Sequence, residues 1–237
     1  MTTPSLTRRT ILTGTLGMMA GGFCVADAEG DASEISEEKK PRRPREKREE
    51  PWKYIALDPQ KCGQRVFDSY DVTRGCMYSM VKNAMLEYVE ALEKENPEQA
   101  ETCRQFPFLM LSYGKSGVGE LKSLCGGING GAMFMGLFVS DMAELGAMIQ
   151  KLGEYVETTP LPEFSPADDQ RPNFPQAVSH SMLCKDNIAA WLALDDSEEH
   201  RLQRIERCKR HAASCLAKAV CLLNEYFSCG ESHENAG

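Results

Sequence analysis

The chain has 237 residues, with 27 Lys and Arg against 35 Asp and Glu, which gives a net charge of −8. An acidic chain repels the phosphate backbone that supplies most nucleic-acid affinity, so we expect no nucleic-acid partner. Ten cysteines fall below the roughly 8–10% of residues that marks a scaffold held mainly by disulfides. A hydrophobic core must therefore form as well.

Residues 1–28 are typical of an export signal. Arg8 and Arg9 precede an uncharged stretch at residues 10–25, and Ala26-Asp27-Ala28 forms a small-x-small cleavage site. The paired arginines and the glycine-diluted apolar stretch resemble a twin-arginine signal. The stretch is shorter than the roughly 20 apolar residues of a spanning helix. We therefore expect a periplasmic protein with no integral membrane segment after signal removal.

Residues 29–51 mix Glu, Lys and Arg with Pro41, Pro44 and Pro51 and contain almost no large apolar side chain. Such a segment buries too little surface to offset the entropy of ordering it. The composition predicts a disordered charged linker, with a docking arm as the alternative. Residues 230–237 are similarly predicted to be a disordered tail, which leaves residues 52–229 as the folded domain.

The folded part shows helical periodicity and no competing strand pattern. One apolar face is expected on a helix that ends before Asn96-Pro97, comprising Met77, Met80, Val81, Ala84, Met85, Tyr88 and Leu92. A second helix follows an Asp141–Glu144 capping box and buries Met142, Leu145, Met148, Ile149, Leu152 and Tyr155 or Val156.

Proline punctuates the segment that follows, at positions 160, 162, 166, 172 and 175, and predicts a long extended crossover. A short apolar helix is expected over residues 183–194. A long helix capped at Asp196-Ser197 should bury Leu202, Ile205, Cys208, Ala212, Cys215, Ala219, Leu222 and Tyr226. The fold class is therefore all-α, a bundle-like single domain with the proline-rich crossover on its surface.

Glycine is concentrated in the centre of the chain, around Gly114–Gly119 and Gly126–Gly136. Each glycine costs a helix roughly 1 kcal/mol relative to alanine. Two interpretations explain their presence after Cys125: a neighbouring backbone approaches closely, or space is left for a bound group. Nucleotide binding is not expected, since the P-loop and dinucleotide patterns are missing.

Four cysteines lie at or near expected helix beginnings: Cys76, Cys125, Cys184 and Cys208. Unpaired backbone amides at such positions favour a thiolate, the form that ligates metals or does redox chemistry. For Cys62, Cys103, Cys215, Cys221 and Cys229 a structural role is expected, with a Cys62–Cys103 disulfide as one option. Nine cysteines remain after signal removal, so at least one cannot pair within the chain.

The same four cysteines carry a resemblance to a known family. Gly75-Cys76, Leu124-Cys125-Gly126-Gly127 with Gly130-Gly131, Leu183-Cys184 and Arg207-Cys208 resemble the C-GCAxxG-C-C family of redox-active proteins, with Gly127 in place of its alanine. The context at residues 52–59, 75–78 and 155–162 resembles the exported branch of that family, which includes split-Soret cytochrome c. The match covers most of the chain after residue 51.

The resemblance implies a homodimer and an iron-sulfur cluster whose metal ligands are Cys76, Cys125, Cys184 and Cys208. Four thiolates suffice for a two-iron or four-iron cluster. Covalent c-type haem is not expected, because the sequence contains no CxxCH. His180 and His211 are candidate cofactor-binding residues or proton carriers, with surface or capping roles as the alternative.

The leading hypothesis is an exported electron-transfer protein that binds an iron-sulfur cluster or uses the four cysteines as a redox thiol set. Its activity would be electron transfer more than conversion of a substrate, with a redox partner that the sequence does not identify. The alternative is a non-catalytic helical interaction protein whose cysteines are structural or disulfide-bonded.

Overall fold

The computed structural model describes residues 50–234, and only the backbone of residues 229–234. The predicted signal and all but residues 50 and 51 of the predicted linker lie outside the described residues. Within them, the chain forms α1 (Pro59–Asp68), α2 (Gly75–Leu92), α3 (Pro97–Arg104), a 3-10 helix (Phe108–Gly114), α4 (Gly126–Gly136), α5 (Met142–Thr158), α6 (Cys184–Leu192), α7 (Glu198–Leu202) and α8 (Arg204–Glu234). The last helix thus continues beyond residue 229.

Helices are the only regular elements among residues 50–234, apart from two isolated β-bridges. This confirms the all-α fold. No helix in the described part of the chain is long and apolar enough to cross a membrane.

The helix beginnings follow from local sequence. The Asp141 side chain accepts hydrogen bonds from the backbone N–H groups of Ala143 and Glu144 at the start of α5. Asn96 caps α3 in the same way, with Pro97 in the first turn. Side-chain oxygens at these positions satisfy amides that have no partner within the helix.

Helix α4 occupies the middle of the domain and packs against α2, α5 and α8, while α1 packs on α8. The predicted apolar face of α2 is buried throughout, from Met77 to Leu92. Glycines make this packing possible. A Cβ added to Gly127 would lie 2.7 Å from Cys215 Sγ, and one added to Gly131 would lie 2.5 Å from Leu152 Cδ2. Neighbouring side chains therefore approach closely at these two positions, whereas a neighbouring backbone does so at Gly126, where an added Cβ would lie 3.0 Å from Met77 N.

Two predicted core positions are wrong. Met142, in the first turn of α5, is 76% exposed, and Leu202 is 75% exposed. Leu202 ends the short helix α7, because the expected single long helix breaks before Arg204. His200 in α7 is buried against Trp191, with ring centroids 3.7 Å apart. This stacking joins α7 to α6.

The proline-rich crossover lies between α5 and α6 without regular structure and is held by polar anchors on α8. Arg210 donates to both carboxylate oxygens of Asp169, at 2.7 and 2.5 Å. The Ser214 hydroxyl accepts from the backbone N–H groups of Glu163 and Phe164. These contacts fix the irregular segment against the long helix.

Candidate functional site

The structure places all four predicted cysteines at helix beginnings. Cys76 is the second residue of α2, Cys125 is the N-cap of α4, and Cys184 opens α6. Cys208 lies early in α8. The predicted positions are confirmed, and four separate helices each contribute one sulfur to the site.

Backbone contacts bring these helix ends together. The backbone N–H of Cys125 donates to Met182 O at 2.9 Å, and that of Cys184 donates to Ser123 O at 2.7 Å. This short antiparallel pairing aligns α4 with α6. On the other side, a Cβ added to Gly126 would lie 3.0 Å from Cys76 Cβ, so the absence of a side chain there lets α2 approach.

Three of the cysteines, Cys76, Cys184 and Cys208, line one cavity of about 300 Å³. Its remaining walls are Tyr70, Val72, Gly75, Lys115, Ser116, Glu120, Lys122, Ile188, Arg204 and Ile205. Cys125 does not line the cavity, but it lies close enough for its charge to raise the pKa of Cys76 and of Cys184. The four sulfurs therefore form one electrostatic group.

A hydrogen bond between Cys76 and Cys208 shifts the pKa values of the two thiols in opposite directions. It raises the pKa of Cys76 well above its ordinary value, and burial adds to the rise. The same bond lowers the pKa of Cys208 to about 6, against the opposing effect of burial and with help from Arg207 and Arg204. The Tyr70 hydroxyl lies 3.0 Å from Cys76 Sγ. Cys208 is thus the thiolate of the pair at neutral pH.

The expectation that all four helix beginnings favour a thiolate is wrong for the other cysteines. Burial raises the pKa of Cys184 to about 11. Burial also raises the pKa of Cys125, although the backbone N–H groups of Gly127 and Ile128 act in the opposite direction. At Cys125 and Cys184, the rise in pKa caused by burial is larger than any lowering by the helix beginning. Buried thiols lose the water that stabilises a negative charge.

His211 joins the site from α8, whereas His180 does not. The Nε2 atom of His211 lies 3.3 Å from Cys125 Sγ and 3.6 Å from Cys215 Sγ. Its Nδ1 atom is buried without a hydrogen-bond partner, and burial holds the pKa of the ring well below its ordinary value. His180 is exposed in the loop before α6 and is not among the residues that line the cavity.

A loop with unusual backbone geometry lines part of the cavity. Five consecutive residues, from Ser116 to Glu120, have φ between 51° and 72°. This left-handed conformation costs a residue other than glycine roughly 1–2 kcal/mol. Gly117 is required at its position, since an added Cβ would lie 2.8 Å from Cys184 Cβ. The loop is thus held against the sulfur site at an energetic cost.

The four thiols fit an iron-sulfur group by donor chemistry, because cysteine sulfur is the ligand that such clusters use. The cavity that three of them line supplies a volume beside the sulfurs. Among the side chains of residues 50–228, however, no three His, Cys, Asp or Glu are arranged to hold a single metal ion.

The eight cysteines whose side chains are described are free thiols. They include Cys62 in α1 and Cys103 in α3, so the disulfide considered between these two is not present. Burial raises the pKa of Cys62 to about 12, which keeps its thiol protonated.

Sequence reasoning missed several members of the site. Arg207 was noted only as a neighbour of Cys208, Tyr70 was not considered, and Cys215 was assigned to the core alone. The spacing of His211 and Cys215, one helical turn apart, was the available signal for that pair. The left-handed loop had no comparable signal, because Ser116, Val118 and Glu120 rarely adopt this conformation.

The fold and the site define an all-α protein with a buried, thiol-rich site beside a small cavity. No known family's sequence profile matches the chain. A split-Soret cytochrome c from Desulfovibrio desulfuricans (strain ATCC 27774) is 29% identical over 211 residues, which cover 78% of this chain and 71% of the relative.

A solved structure of the split-Soret cytochrome c from Desulfovibrio desulfuricans ATCC 27774, described as having a novel iron centre, is also similar. It superposes with a TM-score of 0.63 at 30% identity, covering 76% of this chain and 73% of that one. This chain belongs to the split-Soret cytochrome c family. That part of the resemblance is confirmed, whereas membership of the wider C-GCAxxG-C-C group stays a prediction.

Proposed function

We propose that this protein transfers electrons through a centre held by Cys76, Cys125, Cys184 and Cys208. The observation that carries the proposal is the grouping of these sulfurs from four helix beginnings, three of them lining one small cavity and Cys125 close enough to act on their pKa values. Its relative is described as having an iron centre. An iron-sulfur cluster is therefore the preferred form, and it would supply one-electron chemistry when bound.

The residues of this chain would position and protect such a centre. The hydrogen bonds around Cys76 and Cys208 orient two of the sulfurs. The neutral imidazole of His211 contacts Cys125 from inside the core. The left-handed loop packs against Cys184 at Gly117. Burial of the sulfurs limits their contact with water, which influences the reduction potential of a centre held by them.

A redox thiol set is the second form of the same proposal. Cys76 and Cys208 share a hydrogen bond, and Cys208 is a thiolate near neutral pH. Oxidation of the pair to a disulfide would release two electrons and the remaining thiol proton to an electron-accepting partner protein. Thiolate character is what makes a cysteine reactive in such exchange. Both forms use the same sulfurs and differ in whether iron is present.

Covalent haem is not part of the proposal. The relative is a cytochrome c by name. This sequence has no CxxCH, the pattern that attaches c-type haem through two thioethers. We further propose export by the twin-arginine signal at residues 1–28, a periplasmic location and a homodimer, in keeping with the resemblance.

The test is to purify the protein anaerobically and to measure iron, acid-labile sulfide and visible absorption. We expect iron and sulfide together with a broad visible band. Cys125→Ser should lose them, because it removes one ligand, whereas Cys221→Ser should keep them. Cys221 is the matched control because it lies on the same helix as Cys208 but about 20 Å further along it at 1.5 Å per residue.

A protein without iron or visible absorption whose thiols still oxidise reversibly would indicate the thiol set. An iron-free protein with inert thiols would favour the alternative function, a helical interaction protein. Equal loss of iron in Cys125→Ser and Cys221→Ser would contradict the choice of ligands.

A further inference from the structure

Arg207 is a buried cation without an acidic partner. Arg207 is 3% exposed, and its Nε atom has no hydrogen-bond partner. The guanidinium reaches Asn187 Oδ1 only at 3.5 Å. Among the side chains described, those of residues 50–228, no carboxylate forms an ion pair with it. Arg210, equally buried three residues later, forms a double hydrogen bond with Asp169 and contacts Glu206.

Such a charge needs a negative partner, because an unpaired buried ion is strongly disfavoured. Arginine cannot release its proton to escape this cost. The groups that face it are sulfurs: Arg207 hydrogen-bonds to Cys208, and its charge also acts on Cys125, Cys184 and Cys215. The interior of the domain therefore supplies a fixed positive charge at the place where the sulfurs converge.

We propose that Arg207 is the internal counter-cation of the sulfur site and that it raises the reduction potential of that site. The inference rests on the redox function proposed above. A reduced centre carries more negative charge than an oxidised one, so a nearby buried cation stabilises the reduced form. Arg207 acts through the sulfurs and is therefore a positioning and tuning residue.

Arg204 provides the matched control. It lies one turn earlier on the same helix, lines the cavity and acts on the same Cys208 thiol, but it is exposed. Water screens an exposed charge far more than a buried one. Removing Arg204 should therefore change the potential much less than removing Arg207, although the two side chains are chemically identical.

The test is a redox titration of the wild type, Arg207→Gln, Arg207→Met, Arg207→Lys and Arg204→Gln. If iron is present, the visible band is followed; if it is absent, the thiol-disulfide equilibrium is followed. Arg207→Gln and Arg207→Met should shift the oxidised-to-reduced ratio at a fixed potential at least tenfold toward the oxidised form. For a one-electron couple this shift is about 59 mV to more negative potential. Arg207→Lys should restore most of it.

Arg207→Met fills a similar volume without a charge and removes the same cation as Arg207→Gln. The effect on the potential can therefore be measured in either variant if the other does not fold. An unchanged reduction potential in folded Arg207→Gln or Arg207→Met, or an equal shift in Arg204→Gln, would overturn the tuning role of Arg207. It would leave the proposed redox function standing. A wild-type protein with neither iron nor reversibly oxidised thiols would overturn the proposed function and this inference together.

Discussion

The thiols of Cys76 and Cys208 share a hydrogen bond that joins the beginning of α2 to the beginning of α8. The bond raises the pKa of one thiol and lowers that of the other to about 6. Two chemically identical side chains thereby acquire different roles, with Cys208 as the thiolate and Cys76 as the donor.

The metal-free, reduced protein should show one thiolate that titrates near pH 6. Cys76→Ala should raise the pKa of Cys208, because the largest stabilising contact is lost, whereas Cys103→Ala should leave it unchanged. The measurement is the ultraviolet absorbance of the thiolate against pH. A first thiolate that appears only above pH 8 in the wild type would contradict this hydrogen bond as the dominant effect.

The lowered pKa of Cys208 also links stability to pH. The unfolded chain binds its proton up to a pKa near 9, whereas the folded chain releases it near 6. The contribution of this group to folding is therefore fully present above pH 9 and is lost as pH falls to 6. Denaturant titrations should show that the wild type and Cys208→Ser differ in free energy of unfolding, and that this difference becomes smaller as the pH falls from 9 to 6. A difference that grows as the pH falls would have the wrong sign.

Gly117→Ala should damage the site more than Gly119→Ala. Both glycines have positive φ, so both variants carry backbone strain. A Cβ at position 117 would also lie 2.8 Å from Cys184 Cβ, whereas one at position 119 meets nothing within 4 Å. We expect Gly117→Ala to lose iron or thiol redox activity, and Gly119→Ala to lose only about 1 kcal/mol of stability. Equal effects on the site would show that the loop does not support Cys184.

Gly127→Ala tests the packing of α4 on α8. The added Cβ would lie 2.7 Å from Cys215 Sγ and 3.1 Å from its Cβ. Overpacking of this kind costs about 1–3 kcal/mol. Gly146→Ala in α5 is the control, since nothing lies within 4 Å of its added Cβ, and it should stabilise the helix by up to about 1 kcal/mol. Thermal unfolding of both variants is the measurement, and a stabilised Gly127→Ala would refute the close contact.

Arg210→Met should destabilise the protein and release the crossover. The guanidinium lies between the rings of Phe67 and Phe174 and pairs with Asp169. Breaking a buried pair by removing one partner costs about 3–5 kcal/mol. Arg171→Met, which breaks only an exposed pair with Glu206, should cost no more than about 1 kcal/mol. Limited proteolysis within residues 159–183 should be faster in Arg210→Met, and equal cleavage of both variants would disprove the anchor.

Much of the fold could be predicted because it depends on local patterns. The buried face of α2 and the Asp141 cap are properties of short segments, and both are present in the structure. Helices α1 and α3 were not predicted, since each is short and has few apolar residues. The helix break before Arg204 occurs next to the stacking of His200 on Trp191, a tertiary contact that short sequence patterns do not predict.

The sequence predicted which sulfurs form the site, but it did not predict their protonation states or the buried charge beside them. The helix-beginning positions of Cys76, Cys125, Cys184 and Cys208 could be inferred from sequence. The sequence does not reveal which thiol becomes a thiolate, because this depends on burial and on a hydrogen bond between distant segments. The burial of Arg207 without a carboxylate is also a property of the folded core alone.

X-ray absorption at the iron edge of the anaerobically isolated protein tests the central claim most directly. Our account predicts bound iron with a coordination shell dominated by sulfur, which is lost in Cys184→Ser and retained in Cys221→Ser. Iron coordinated only by nitrogen and oxygen, or a sulfur shell that survives the loss of Cys184, would contradict it.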